Sequence, residues 1–235
     1  MLVQYKITMW TNIKLWIDQC QFIPLHSLIL IINIAVAFYE PWDMDHLAVK
    51  TPLFDNDQPF YVFYTVAFTH ISSTHLWNNL IMLLTLGLIV EIVHGTFAHF
   101  VIFWGASATG ILSESFIQYN KKYIIKGASA GAYGIIGSFI AHITINWREA
   151  PLRGIWIACV FLLICTNVYS YATDASFRDT IAHWGHLIGA LQGMSLGIFV
   201  LKNPRVLRWE RKFEYVAYLT SSLLLLWPFL FVLFQ

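Results

Sequence analysis

Lys126-Gly-Ala-Ser129-Ala-Gly-Ala-Tyr-Gly134, running into the apolar stretch 135–145, decides how the rest of the chain is read. Small residues crowd one hydroxyl, in a G-x-S-x-G spelling like that of a nucleophile elbow. An elbow would sit between a strand and a helix in a water-compatible chain. This chain is not one: 58% of its residues are apolar and 11% charged, against roughly 25% charged in soluble domains. Helix-length apolar runs recur between short polar connections, which predicts an all-α polytopic membrane protein.

Outward from the serine, the expected spans are 24–39; a second ending at Val93 and starting near Phe60 or Leu76; 97–116; 129–145; 154–169; 181–201; and 213–234. Residues 41–61, with four aspartates and three prolines, read as a loop lying partly in the interface. Residues 118–126 read as a polar link. Residues 1–23 mix polar side chains with Trp10 and Trp16 and suit an interfacial amphipathic helix on the cytoplasmic side better than a cleaved leader. Lysines and arginines divide nine to five between the two sides, which favours a cytoplasmic N-terminus. Cys20, Cys159 and Cys165 form no framework. The basic residues make no aromatic-lined stripe, so nucleic acid is not an expected partner; membrane lipid is.

With that topology the second, fourth and sixth spans start on one side. Ser129 then lies level with His75 and Asn79, which are four apart on one face, and with His183 and His186. Polar groups at such depth are costly unless paired or wetted. A serine within reach of an imidazole is a nucleophile with its base, and His75, Asn79 and the Ser129 amide could hold an oxyanion. No carboxylate lies in the fourth or sixth span, so a Ser–His dyad is the arrangement open to the chain, with Tyr133 packed on the imidazole. His186 is the expected base because it starts beside the stripe Gly185, Gly189, Gly193, Gly197, facing Gly127, Gly131 and Gly134. His183 reads as a wet histidine. Among the other polar residues, Glu91 and His94 read as cap and turn, Glu114 as solvated, and His99 and His142 as interfacial. From pattern alone, serine and glycines serve helix packing as readily as catalysis, and both readings stay open.

Three motifs in order resemble the rhomboid family of intramembrane serine proteases, most of all the secretory-pathway group of animals. They are His70, His75 and Asn79 in HISSTHLWNN, Gly127-Ala-Ser129 with Tyr133, and His186 followed by Gly189 and Gly193. The resemblance implies a six-helix core over 24–203, with a basic linker and seventh helix over 204–235. It implies Ser129 as nucleophile, His186 as base, His75 and Asn79 at the oxyanion, Tyr133 in support, and His70, Gly127, Gly189 and Gly193 as structural. No metal or organic cofactor is implied. The implied substrates are single-pass transmembrane proteins cut near the luminal end of the span, in Golgi, plasma membrane or endosome. An inactive relative that binds such clients is the alternative. Two residues depart from the pattern. Ala130 stands where glycine usually follows the serine, and its methyl is expected to crowd the oxyanion site or the helix contact. Tyr61-Val62 stands where Trp-Arg usually closes the first loop, so that loop must be anchored otherwise.

Overall fold

A computed structural model describes residues 11, 14, 18, 20, 23–39, 44–51, 58–147, 153–173, 182–204, 206 and 208–233. The helices are α1 (Leu25–Tyr39), one-turn α2 (Val62–Thr65), α3 (Ser73–His94, with a π turn at Leu83–Gly87), α4 (Thr96–Ile117), α5 (Ser129–Ile145), α6 (Arg153–Thr173), α7 (His183–Val200) and α8 (Glu210–Leu233). By length and composition α3, α4 and the Trp156–Thr173 part of α6 suffice to cross a membrane; α1 and α5 are apolar but shorter. The chain is a multi-pass membrane protein. The expected interfacial helix over 1–23 falls almost wholly outside the described residues.

The ambiguous start of the second span resolves into two elements. α2 ends at Thr65, and α3 begins at Ser73 because the Ser72 hydroxyl accepts the His75 amide at 3.2 Å. Gly95, at φ 97°, turns α3 into α4. The link before Ser129 is not merely polar. Tyr123–Ile125 (β2) pairs antiparallel with Val49–Thr51 (β1), Val49 opposite Ile125. A three-residue ribbon with partners more than 70 positions apart leaves too little alternation to be read from sequence.

The tightest packing is among α4, α5 and α7, whose backbones touch. A Cβ on Gly193 would strike the Gly134 backbone, one on Gly189 the Ala130 carbonyl, and one on Gly137 the Ala190 carbonyl. This corrects the expected glycine match. Gly134 does face α7, but Gly131 faces the Phe103 ring of α4 and Gly127 faces His75. Gly127 precedes the helix, which starts at Ser129, and Gly131 lies about 100° around the helix from Ala130, off the stripe that Ala130, Gly134 and Gly137 present to α7. Polar contacts that tie α8 on include Gln192 Nε2 to Ser221 Oγ and Trp227 Nε1 to Ser113 Oγ, both 2.9 Å. α6 lies at the edge: of its described side chains only Val160 and Leu163 are buried.

Candidate active site

The N-terminal ends of α3, α5 and α7 meet at one level. Ser129 is the first residue of α5, and the first bond of that helix runs from the Ala132 amide to the Ala128 carbonyl at 3.0 Å. The amides of Ser129, Ala130 and Gly131 therefore precede the intrahelical ladder, at the positive end of the helix dipole. Gly127 takes φ 122°, and its amide donates to the Val66 carbonyl at 3.1 Å. A side chain there would meet both a strained backbone and the His75 ring, whose Cε1 lies 2.5 Å from an ideal Cβ.

Across from Ser129, His186 Nε2 lies 2.7 Å from the serine Oγ. Tyr133, one turn after Ser129, stacks on the imidazole with centroids 4.3 Å apart and planes 11° from parallel. The Tyr133 ring fixes one face of His186 without taking either ring nitrogen. Ser129 is 5% exposed. His183 is exposed, with its ring 5.4 Å from Tyr171. Asn79 and His70 are joined, Asn79 Nδ2 to His70 Nε2 at 2.9 Å, and the His70 and His75 rings are 5.2 Å apart. An amide carries two donors, so the bond to His70 orients Asn79 and leaves its second N–H to aim elsewhere.

Ala130 does not crowd this cluster. Its methyl is directed at α4, 3.0 Å from where a Cβ of Gly110 would stand, and it packs among Ile111, Ile125 and Ala182. A glycine on α4 makes room for the methyl that the serine's neighbour brings. The first loop is held by its own set of bonds. Gln58 brackets Lys50, accepting from its amide at 2.8 Å and donating to its carbonyl at 2.5 Å. Thr51 Oγ1 donates to the Lys121 carbonyl at 2.6 Å, Thr65 Oγ1 to Leu47 at 2.9 Å, and Lys126 pairs with Asp45. That lysine, by hydrogen bond and charge, holds the Asp45 carboxyl below its ordinary value of 3.8.

Three polar residues read from sequence as solvated or interfacial, Glu114, His99 and His142, are buried. Glu114 is 2% exposed, and its Oε2 accepts the Gly185 amide at 2.9 Å. At the far end of the bundle His94 Nε2 and His142 Nδ1 are 3.1 Å apart, and His94 Nδ1 accepts the Lys202 amide at 3.0 Å. His99 belongs to the one group of metal-ligand type among the described residues, His26, Glu91 and His99, whose ligand atoms lie within 4.8 Å of one another. Its hydrogen bonds run in one direction if the imidazoles are neutral. Trp104 donates to His26 Nε2 at 3.1 Å, which leaves the proton on Nδ1 to donate to His99 Nδ1 at 2.7 Å. His99 Nε2 meets Ser27 Oγ at 3.3 Å, and that hydroxyl donates to Glu91 at 2.6 Å. Glu91 also accepts the His26 and Ser27 amides and the Thr96 hydroxyl. Each ligand atom is already engaged, so the group acts as a polar staple of α1 onto α3 and α4. Glu91 thus caps α1 through the His26 and Ser27 amides and also holds its own turn through Thr96. An ionisable residue inside an apolar run was the sequence signal for such roles; which partner it would find was not written locally.

Comparison with known proteins identifies the family. A family model described as a rhomboid domain matches residues 57–203. Rhomboid-related protein 1 of Caenorhabditis elegans is 30% identical over 174 residues, 69% of this chain and 48% of its own length. Rhomboid-related protein 2 of Mus musculus is 24% identical over 87% of this chain and 76% of its own. Rhomboid-like protease 3 of Toxoplasma gondii is 27% identical over 95% and 83%. The chain thus spans about half the length of the worm relative and most of the other two.

Proposed function

The chain belongs to the rhomboid family, and on that premise we propose that it is an intramembrane serine endopeptidase working by a Ser129–His186 dyad. The observation that carries the reading is the 2.7 Å contact between His186 Nε2 and Ser129 Oγ, within the range for direct proton transfer. His186 holds its own proton on Nδ1 and takes the serine proton on Nε2 as Oγ attacks the scissile carbonyl. Negative charge then develops on the carbonyl oxygen at the N-terminus of α5. The Ser129 amide, the helix dipole and the free N–H of Asn79, with His75, are the donors for it. On collapse of the tetrahedral intermediate, His186 passes its proton to the leaving amine. Water, deprotonated by the same imidazole, then hydrolyses the acyl-enzyme. Tyr133 takes the place of an orienting carboxylate by holding the ring plane.

Single-pass transmembrane proteins, cut near the luminal or extracellular end of the span, are the substrates this reading assigns. It takes the N-terminus as cytoplasmic, the location as secretory-pathway membrane, and α8 as a seventh span added to a six-span core. Purified chain in liposomes should cleave a reporter with a single transmembrane segment, and Ser129→Ala should abolish cleavage. Equal cleavage by the variant would remove the proposal. A well-folded wild-type chain that captures the segment without cutting it would favour a non-catalytic client binder instead.

A further inference from the structure

Resting on the dyad reading, we infer that Glu114 of α4 is a positioning residue for the base, because it caps the helix that carries His186. α7 starts at His183 after Ala182, which offers no side-chain acceptor to the first turn. The first intrahelical bond of α7 runs from the His186 amide to the Ala182 carbonyl at 3.0 Å. The residue just before it, Gly185, gives its amide to Glu114 Oε2 at 2.9 Å. The base therefore sits at the one point where the helix ladder begins, and the neighbouring amide is held from another helix.

Helix ends fray unless their orphan amides are satisfied, and a carboxylate at the N-terminus does so with the added favour of the dipole. Fraying here would carry off the imidazole that must stay 2.7 Å from Ser129 Oγ. The backbone geometry at this point is close. A Cβ on Gly185 would come within 3.4 Å of the Gly110 carbonyl, and one on Gly110 would strike the Gly185 carbonyl. α4 thus presents both a glycine, for approach, and a carboxylate four residues later, for the amide. Ser113, beside Glu114, accepts the Trp227 indole N–H at 2.9 Å, so α8 braces the same turn of α4. Glu114 is 2% exposed, a cost that a solvated surface carboxylate would not meet and that its place at the α7 terminus offsets. Tyr133 fixes the ring of His186; Glu114 fixes the backbone from which that ring hangs.

Glu114→Ala and Glu114→Gln test this, with two readouts. In the alanine variant, amide exchange in the first turn of α7 should speed up about fivefold, the scale of a lost helix cap, while the C-terminal half of α7 is unchanged. Labelling of Ser129 by a fluorophosphonate should slow by about 10- to 100-fold, the scale of a misplaced catalytic group, and reporter cleavage should lose kcat with KM held. Glutamine keeps an oxygen for the Gly185 amide and should recover most of both. Unchanged α7 exchange in Glu114→Ala overturns the inference. So does a glutamine variant as impaired as alanine, or a loss confined to KM. A wild-type chain that never labels defeats the protease reading separately, and the exchange measurement then still decides whether Glu114 caps α7.

Discussion

The α5–α7 contact and α6 are both apolar helical surface in one membrane protein, yet they are built on opposite terms. Between α5 and α7, Gly134, Gly137, Gly189 and Gly193 bring backbone against backbone. In lipid there is little hydrophobic drive between helices, so such close van der Waals approach is what holds them. α6 presents bulky Phe161, Leu162, Val168 and Tyr169, all more than half exposed. Beside it a cavity of about 280 Å³ opens between α3 and α6, lined by Asn78, Thr85, Cys159 and Thr166 among others. Precision is kept where a hydroxyl must meet an imidazole, and the neighbouring wall is left loosely packed.

Substitutions should separate the two regions by size of effect. Gly193→Val has no space beside the Gly134 backbone and should cost about 3 kcal/mol, seen as a lowered thermal midpoint in detergent together with loss of Ser129 labelling. A variant with wild-type stability would break the comparison. Gly127→Ala meets φ 122° and the His75 ring. It should cost about 1–2 kcal/mol and slow Ser129 labelling more than its stability loss explains, which the ratio of the two measurements checks. On α6, Phe161→Ala removes a side chain 67% exposed and should change stability by no more than about 0.5 kcal/mol. A larger loss in detergent would mean that α6 is packed, not loose.

The smallest effect belongs to the loop. The Asp45 carboxyl is depressed by Lys126, so its contribution is present above the ordinary value of 3.8 and is lost as pH falls through the lower folded value. Wild type and Asp45→Asn should differ by less than about 0.5 kcal/mol near neutrality, for a pair this exposed, and converge in acid. Melting curves at pH 7 and below pH 3.8 read the difference; one that grew in acid would reverse the assignment.

Much of the tight region was legible. A serine amid glycines and a histidine before a glycine stripe predicted α5, α7 and their meeting, because repeated small residues are a local pattern with one physical use. The pairings of Glu91, Glu114, His99 and His142 were not legible. Each is a single polar residue in an apolar run, and whether it is wet or buried depends on a partner tens of positions away. The ribbon of β1 and β2 escaped for the same reason. Gly131 misled because a glycine marks close approach without naming what approaches: here it is Phe103.

The central claim, that the 2.7 Å contact of Ser129 with His186 makes a working nucleophile, meets its most direct test in labelling of the purified chain by a fluorophosphonate. One adduct is expected, on Ser129 by mass spectrometry, that disappears in both Ser129→Ala and His186→Ala while the fold survives. Labelling that persists in His186→Ala at the wild-type rate, or a folded wild-type chain that takes no label, would contradict it.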